Sequence, residues 1–235
     1  MSRAFVQQPG RLELLPDVLA QACVTVLGVS GAGISMMLDD LRVPLGSSDQ
    51  LAACAEQLQV TLGEGPCLDA LGARRPQVFD PATMADRWPD FHAEVVRLTP
   101  FRAFASLPIL PIDVPAVGAV DLYAISGDGL DELALDEVSA AIVPTIAGCL
   151  FEEPRVALDR GTLLPLWLGN DAVTHRMDVW IAVGTVMDLA QLTRNDALAD
   201  LRSYARQHEM TLDEVAFQIA EGRLSAELVL TERTR

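Results

Sequence analysis

Two runs of small and strand-forming residues, 103–110 and 117–125, lie close together along the chain and constrain its fold more than any other feature. The segment between them contains Pro111, Asp113 and Pro115, which are residue types typical of turns. A connection this short cannot hold the helical crossover that two parallel strands require. The sequence therefore predicts neighbouring antiparallel strands in a central antiparallel sheet.

Helices are predicted on both sides of this strand pair. Apolar residues recur every three or four positions from Leu12 to Val26 and from Leu133 to Phe151, the pattern of a helix with one buried face. Pro144 predicts a kink or an early stop in the second helix. Short strands are expected at 34–38 and 42–46. Together these elements indicate an α+β fold, an antiparallel sheet with flanking helices.

A further helix is predicted after residue 49. Ser48 and Asp49 are suitable N-cap residues, and apolar side chains follow at helical spacing. The buried face of this helix is predicted to contain Leu51, Cys54, Ala55 and Leu58.

The clearest domain boundary lies at 153–171, which we interpret as a linker between domains at 1–152 and 172–235. Pro154, Gly161, Pro165 and Gly169 interrupt this segment. Several large apolar residues lie between them, so we expect the linker to pack against other parts of the protein.

Residues 172–235 are predicted to form three helices. The first spans about 173–190. Thr193 is a predicted N-cap for the second helix, and Thr211 with Glu214 matches a capping box that begins the third. The core face of the first helix is predicted to contain Met177, Trp180, Gly184 and Met187.

The charge of the chain disfavours loose attraction to nucleic acid. The formal net charge is −16, and every basic residue is an arginine. Acidic residues outnumber arginines by 21 to 8 in residues 1–154 but only by 12 to 9 in residues 155–235. Repulsion of a polyanion is therefore concentrated in the first part of the chain.

Several classes of protein are disfavoured by the sequence. No run approaches the roughly 20 apolar residues of a membrane-spanning helix, and residues 1–10 lack the layout of a signal peptide, so we expect a cytoplasmic protein without membrane contact. The cysteines form no CxxC pair and the histidines are isolated, so we expect no metal site, disulfide framework or cofactor. These residues are Cys23, Cys54, Cys67, Cys149, His92, His175 and His208.

Three blocks in the last domain resemble the ANTAR domain: Arg176–Met187, Asp196–Ala205 and Leu212–Ala216. The resemblance rests on the order and spacing of all three. It implies an all-α three-helix domain that binds paired RNA hairpins and prevents transcription termination. Ile181 and Val183 stand where that family usually has polar residues, and Thr185 stands in place of its methionine.

The first domain is similar to the GAF sensor domain that precedes ANTAR domains in actinobacterial regulators. The similarity lies in Thr61–Cys67, Arg87–Phe91, Leu107–Pro108 and Gly118–Tyr123. It implies an α+β GAF domain with a cavity for a small-molecule ligand.

We predict a set of RNA-binding residues from the ANTAR resemblance and from the arginines of the second helix. They are Arg176, Ala182, Gly184, Arg194, Arg202, Tyr204 and Arg206. Guanidinium groups grip phosphates and stack on unpaired bases, and small side chains allow close approach. The alternatives are a solvated helix face for the arginines, tight helix packing for Ala182 and Gly184, and core packing for Tyr204.

Three residues are candidates for the wall of the ligand cavity. Cys67 follows a glycine turn in which Pro66 is suited to begin a helix. In a GAF fold this element borders the cavity, and Trp88 and Phe91 are candidates for its wall. The alternatives are a small buried thiol for Cys67 and ordinary core positions for the two aromatic residues.

Our first functional hypothesis is a signal-responsive antitermination regulator that is not an enzyme. Its terminal sensor helices, at 12–26 and 133–151, would form a homodimer that presents two RNA-binding domains together. A small molecule or another protein would supply the signal. The alternative is a ligand-sensing or protein-interaction module whose degenerate ANTAR domain no longer binds RNA. A GAF-type methionine sulfoxide reductase is disfavoured because the cysteines are scattered.

Overall fold

The computed structural model describes residues 14–38, 41–110, 117–126, 128–152, 156–159, 162–165 and 171–232, without the side chains of 151–176. These residues form two compact units. The first contains 14–59 and 64–165, and the second contains 60–63 and 171–232.

The first unit is built on a five-stranded sheet. Its strands are β1 (Gly31–Leu38), β2 (Leu41–Ser47), β3 (Gln77–Phe79), β4 (Ala103–Ile109) and β5 (Gly118–Ala124). Their spatial order is β2-β1-β5-β4-β3, and every neighbouring pair is antiparallel. The predicted antiparallel sheet and the pairing of its two central strands are confirmed.

Helices surround this sheet. They are α1 (Leu15–Leu27), α2 (Gln50–Leu62), α3 (Pro66–Ala73), α4 (Pro81–Arg87), α5 (Pro89–Leu98) and α6 (Leu135–Ala147). Proline begins α3, α4 and α5, where its missing N–H group has no intrahelical partner to lose. Helix α6 continues through Pro144 into a π-helical turn at Gly148–Glu152, so the predicted early stop is wrong. Sequence patterns did not predict β3, α4 or α5.

Both faces of the sheet are covered. All residues of β4 and β5 are buried, although successive side chains of a strand point to opposite faces. Helix α1 packs against β1 and β2, and α3 packs against β4 and β5. The central strands therefore lie between layers of helices.

The buried face of α2 differs from the prediction. Leu51 is 43% exposed, whereas Glu56 and Gln59 are almost wholly buried. In the part of α2 that belongs to the first unit, the buried residues are Ala52, Ala55, Glu56 and Gln59, of which Ala55 was predicted. The apolar periodicity predicted that the leucines are buried. It could not predict that Glu56 and Gln59 have buried hydrogen-bond partners, which make their burial possible.

The segment predicted as a linker contains regular structure. Strands β6 (Val156–Asp159) and β7 (Thr162–Pro165) pair in antiparallel register. Residues 153–155, 160–161 and 166–170 of the predicted linker lie outside the described residues.

The described part of the second unit is helical. It contains α7 (Asp171–Ala190), α8 (Arg194–Gln207), α9 (Leu212–Ala220) and α10 (Ala226–Glu232). The Thr193 hydroxyl caps α8 by accepting from Asp196 N–H, and Thr211 with Glu214 forms the complete capping box of α9. The three predicted helices and their caps are confirmed, and α10 is an additional helix.

Helix α7 also buries a different face from the predicted one. Met177 is 59% exposed and Gly184 lies at the surface. The buried residues are Val179, Ala182, Val183 and Val186. Apolar residues occur all round this helix, so spacing alone could not select the face. Within the described ranges, no helix is long and apolar enough to span a bilayer.

Candidate functional site

A cluster of three charged residues lies inside the first unit. Arg42 Nη2 donates to Glu56 Oε2 at 2.5 Å and to Asp121 Oδ2 at 2.7 Å. All three residues are at most 2% exposed. Arg42 Nη1 also donates to the backbone carbonyl of Glu56 at 2.9 Å. This charged cluster joins β2, α2 and β5 through one guanidinium group.

Neutral polar groups form further hydrogen bonds with the charged cluster. Gln59 Nε2 and Ser106 Oγ donate to Asp121 at 3.1 and 2.5 Å, and the Tyr123 hydroxyl donates to Glu56 Oε1. Gln59 Oε1 accepts from the backbone N–H of Cys67 at 2.9 Å, which satisfies an N–H group at the start of α3. Among the described residues, Arg42 Nε finds no hydrogen-bond partner.

Strand register places these residues together. Asp121 of β5 pairs with Gly33 of β1 on one side and with Ser106 of β4 on the other. A Cβ atom at Gly33 would collide with the carboxylate of Glu56. The absence of a side chain at Gly33 therefore lets α2 bring Glu56 close to the sheet.

Burial dominates the electrostatics of the charged cluster. It raises the pKa of Glu56 to about 7, although the Arg42 guanidinium acts in the opposite direction. Burial, reinforced by the carboxylates of Glu56 and Asp121, raises the pKa of Tyr123 well above its ordinary value. Removing charges from water disfavours ionised acids, and a second buried carboxylate adds to this effect.

Cys67 lies beside the charged cluster. Its Sγ is 3.7 Å from Ser35 Oγ, and the residue is fully buried. Burial raises the pKa of the Cys67 thiol to about 12 despite the nearby Arg42. The reactive thiolate is therefore scarce near neutral pH, which agrees with the interpretation of Cys67 as a small buried thiol.

Trp88 and Phe91 belong to a chain of aromatic rings that reaches the charged cluster. The Trp88 ring lies 5.0 Å from that of Phe79 and 6.5 Å from that of Phe91. Phe91 contacts Phe104 at 5.5 Å, and Phe104 contacts Tyr123 at 4.8 Å. Trp88 is 6% exposed and Phe91 is fully buried, so both occupy core positions.

Sequence patterns missed all three residues of the charged cluster. The neighbouring Cys67 was a candidate, but Arg42, Glu56 and Asp121 were not. The available signal was an ionisable residue within an otherwise small or apolar strand, at Arg42 in β2 and at Asp121 in β5. Glu56 offered no comparable signal, because a glutamate in a helix usually faces water.

Two of the candidate RNA-binding residues lie in the core of the second unit. Ala182 is fully buried, and Tyr204 is 8% exposed with its ring stacked on His208 at 4.1 Å. Neither side chain is available at the surface, which agrees with the alternatives of helix packing for Ala182 and core packing for Tyr204.

Gly184 lies on an open surface of α7. Nothing lies within 4 Å of the position that a Cβ would take. Gly184 borders a shallow groove of about 400 Å³, which we call the Gly184 groove and which is lined by Gly184, Met187, Asp188, Gln191 and Leu192. The Arg194 guanidinium lies 5.1 Å from the ring centre of Trp180, which precedes Gly184 by one helical turn.

The remaining candidate arginines differ in environment. Arg206 is exposed. Arg202 is partly buried in the second unit, where its Nε donates to the carbonyl oxygen of Val60 at 3.1 Å, and burial lowers its pKa. The side chain of Arg176 lies outside the described residues. Arg194 and Arg206 are thus the candidate guanidinium groups at the described surface.

Metal-ligating residues do not come together in the part of the chain that the structure describes. No group of three or more histidine, cysteine, aspartate or glutamate side chains could hold a metal ion there.

The solved structures similar to this chain include a GAF domain. The crystal structure of a GAF domain region from Geobacter sulfurreducens PCA matches 57% of this chain and 90% of its own chain, at 18% identity and a TM-score of 0.43. No family model and no curated protein matches the sequence. The similarity to GAF and ANTAR domains therefore rests on the sequence blocks given above.

Proposed function

We propose that this chain is a signal-responsive RNA-binding regulator of transcription termination. Its first unit is a GAF-type sensor that receives a small-molecule or protein signal, and its second unit is an ANTAR-type module that binds paired RNA hairpins. The GAF blocks of the sequence and the antiparallel sheet with flanking helices support the first assignment. The three ordered ANTAR blocks and the capped helices support the second.

The main observation in favour of RNA binding is the surface around the Gly184 groove. A helix position without a side chain lets a base or sugar approach the backbone closely. Arg194 and Arg206 are exposed on the next helix, and arginine can grip phosphate and stack on unpaired bases. The carboxylate of Asp188 in the same groove opposes phosphate, which limits the expected affinity.

Dimerisation through α1 and α6 is part of this proposal. Two weak hairpin contacts become strong when one particle holds both binding modules at a fixed separation. The signal would act by favouring one arrangement of the paired modules.

The test measures binding of tandem-hairpin RNA to the full chain at moderate salt. Gly184→Gln fills the Gly184 groove from an open position, so we expect it to fold and to lose roughly tenfold in affinity, about 1.4 kcal/mol. Arg206→Ala should also weaken binding. Arg223→Ala removes the same charge from a 65% exposed side chain elsewhere in the unit and serves as the matched control.

Either of two results would contradict RNA binding at this surface. If the wild-type protein binds no tandem-hairpin RNA, the proposal is wrong. If Gly184→Gln and Arg223→Ala lose the same amount of affinity, the Gly184 groove does not take part in RNA binding.

The second candidate function is a protein-interaction module that does not bind RNA. Exposed apolar side chains on α7 favour it, namely Met177 at 59%, Ile181 at 52% and Leu189 at 49%. Ile181→Gln introduces the polar residue that ANTAR domains usually have. If wild type fails to bind RNA and this variant binds it, the second candidate function is supported.

A further inference from the structure

The charged cluster contains one more negative group than positive groups when all its members are ionised. The carboxylates of Glu56 and Asp121 both bind Nη2 of Arg42, the only positive member. Arginine stays protonated in proteins, so the excess charge can be removed only by a proton on a carboxylate. Two like charges held this close and away from water strongly favour that proton.

Hydrogen bonding indicates which carboxylate holds the proton. Asp121 accepts three side-chain hydrogen bonds, from Arg42, Gln59 and Ser106, which stabilise its ionised form. Within the described part of the chain, Glu56 accepts only two, from Arg42 and Tyr123, and its Oε1 faces the Tyr123 hydroxyl, which can accept a hydrogen bond as well as donate one. A proton on Glu56 Oε1 therefore has an acceptor in place.

Each element packed around Glu56 contributes to its electrostatics. Strand β2 contributes Arg42, β5 contributes Asp121 and Tyr123, and α3 contributes the un-ionised thiol of Cys67. Strand β1 presents Gly33 at this point. Burial raises the pKa of Glu56 to about 7. This upward shift agrees with the excess of one negative charge in the charged cluster.

We propose that protonation of Glu56 is a switch that holds helix α2 against the sheet, so that the first unit responds to pH. In the protonated form the charged cluster is neutral and α2 is seated. In the ionised form two carboxylates compete for one guanidinium, which loosens α2. This proposal does not depend on RNA binding by the second unit.

The sign of the effect follows from linkage. The folded protein holds the Glu56 proton to higher pH than the unfolded chain does. The stabilisation is therefore complete below the unfolded pKa, declines as pH rises towards the folded pKa, and is lost above it. Most acidic groups in salt bridges behave in the opposite way.

The experiment uses the full chain over pH 5.5 to 8.5. Infrared difference spectra report the protonated carboxyl group, and hydrogen exchange reports the opening of α2 after correction for base catalysis. We expect the carboxyl signal of wild type to disappear across neutral pH, while α2 amides lose about tenfold in protection for each pH unit up to the midpoint and little more above it. Glu56→Gln should lack both changes.

Two further variants keep the test decisive if Glu56→Gln does not fold. Asp121→Asn leaves Glu56 as the only carboxylate on Arg42, so its transition should move to lower pH by about one unit or more. Glu94→Gln removes a carboxylate that pairs with Arg97 at 2.5 Å on the exposed side of α5, and should leave the transition unchanged. The proposal is overturned if Asp121→Asn leaves the midpoint in place or raises it, or if Glu56→Gln retains the wild-type pH dependence.

Discussion

Gly33 and Gly184 lie in opposite environments, the first closely packed and the second open. At Gly33 an added Cβ would collide with Glu56, so the missing side chain permits close packing of α2 on the sheet. At Gly184 the surrounding space is empty, so packing does not require glycine there. A helix interior is an unfavourable place for glycine, which suggests that Gly184 has a use outside the core.

Gly184→Ala is expected to stabilise the folded protein by roughly 0.5–1 kcal/mol, because alanine loses less backbone entropy on forming the helix. Urea unfolding should show a higher midpoint with an unchanged slope. Gly33→Ala is the contrasting variant and should lower the midpoint, since Glu56 must move. A destabilised Gly184→Ala would mean that a neighbour occupies this space.

Helices α8 and α9 of the second unit begin at N-cap residues that can be recognised in the sequence. Thr193 and Thr211 each cap a helix through their own side chains, and Glu214 completes the capping box by accepting from the backbone N–H of Thr211 at 2.7 Å. These contacts span three residues, so they are visible in the sequence. The buried faces of α2 and α7 depend on distant partners. Of the residues predicted for these faces, Ala55 is buried, whereas Leu51, Met177 and Gly184 are exposed.

Thr211→Ala should destabilise the protein by about 1 kcal/mol, because the N–H group of Glu214 loses its acceptor at the start of α9. Faster hydrogen exchange of that amide would locate the effect. Thr185→Ala is the matched control, since Thr185 lies inside α7 and only bonds back to the Ile181 carbonyl at 2.8 Å. If both variants lose the same amount of stability, the Thr211 cap does not contribute to the stability of the protein.

At the scale of the whole molecule, charge limits how the chain can meet a polyanion. With a net charge of −16 it has little general attraction to RNA. The proposed RNA binding would then depend on a few arginines at one surface, assisted by stacking and by two modules acting together. Such binding should depend only weakly on salt.

We expect the logarithm of the RNA-binding constant to fall with the logarithm of salt concentration with a slope of about −3, as two arginines on each of two modules require. Arg206→Ala removes one contact from each module and should reduce the size of that slope by about 1.4. Titrations of tandem-hairpin RNA at several salt concentrations measure both values. A slope several times steeper would indicate a broad basic surface, which contradicts the arrangement proposed here.

The amino-acid sequence determined the features that short-range chemistry controls. These are the antiparallel pairing of β4 and β5, the three helices of the second unit and the helix starts at Thr193 and Thr211. Turn residues, caps and alternation act within a few positions, so they are readable along the chain. The blocks that resemble known domains suggested the function in the same local way.

Only the tertiary structure decided which polar residues are buried together. The charged cluster is made of residues that are far apart in sequence, Arg42, Glu56 and Asp121. They come into contact because of the strand register and because α2 approaches the sheet closely at Gly33. Likewise, the valines of α7 are buried in the core, whereas Met177 and Gly184 lie at the surface. Burial depends on what packs against a residue, and that information is distributed over the whole fold.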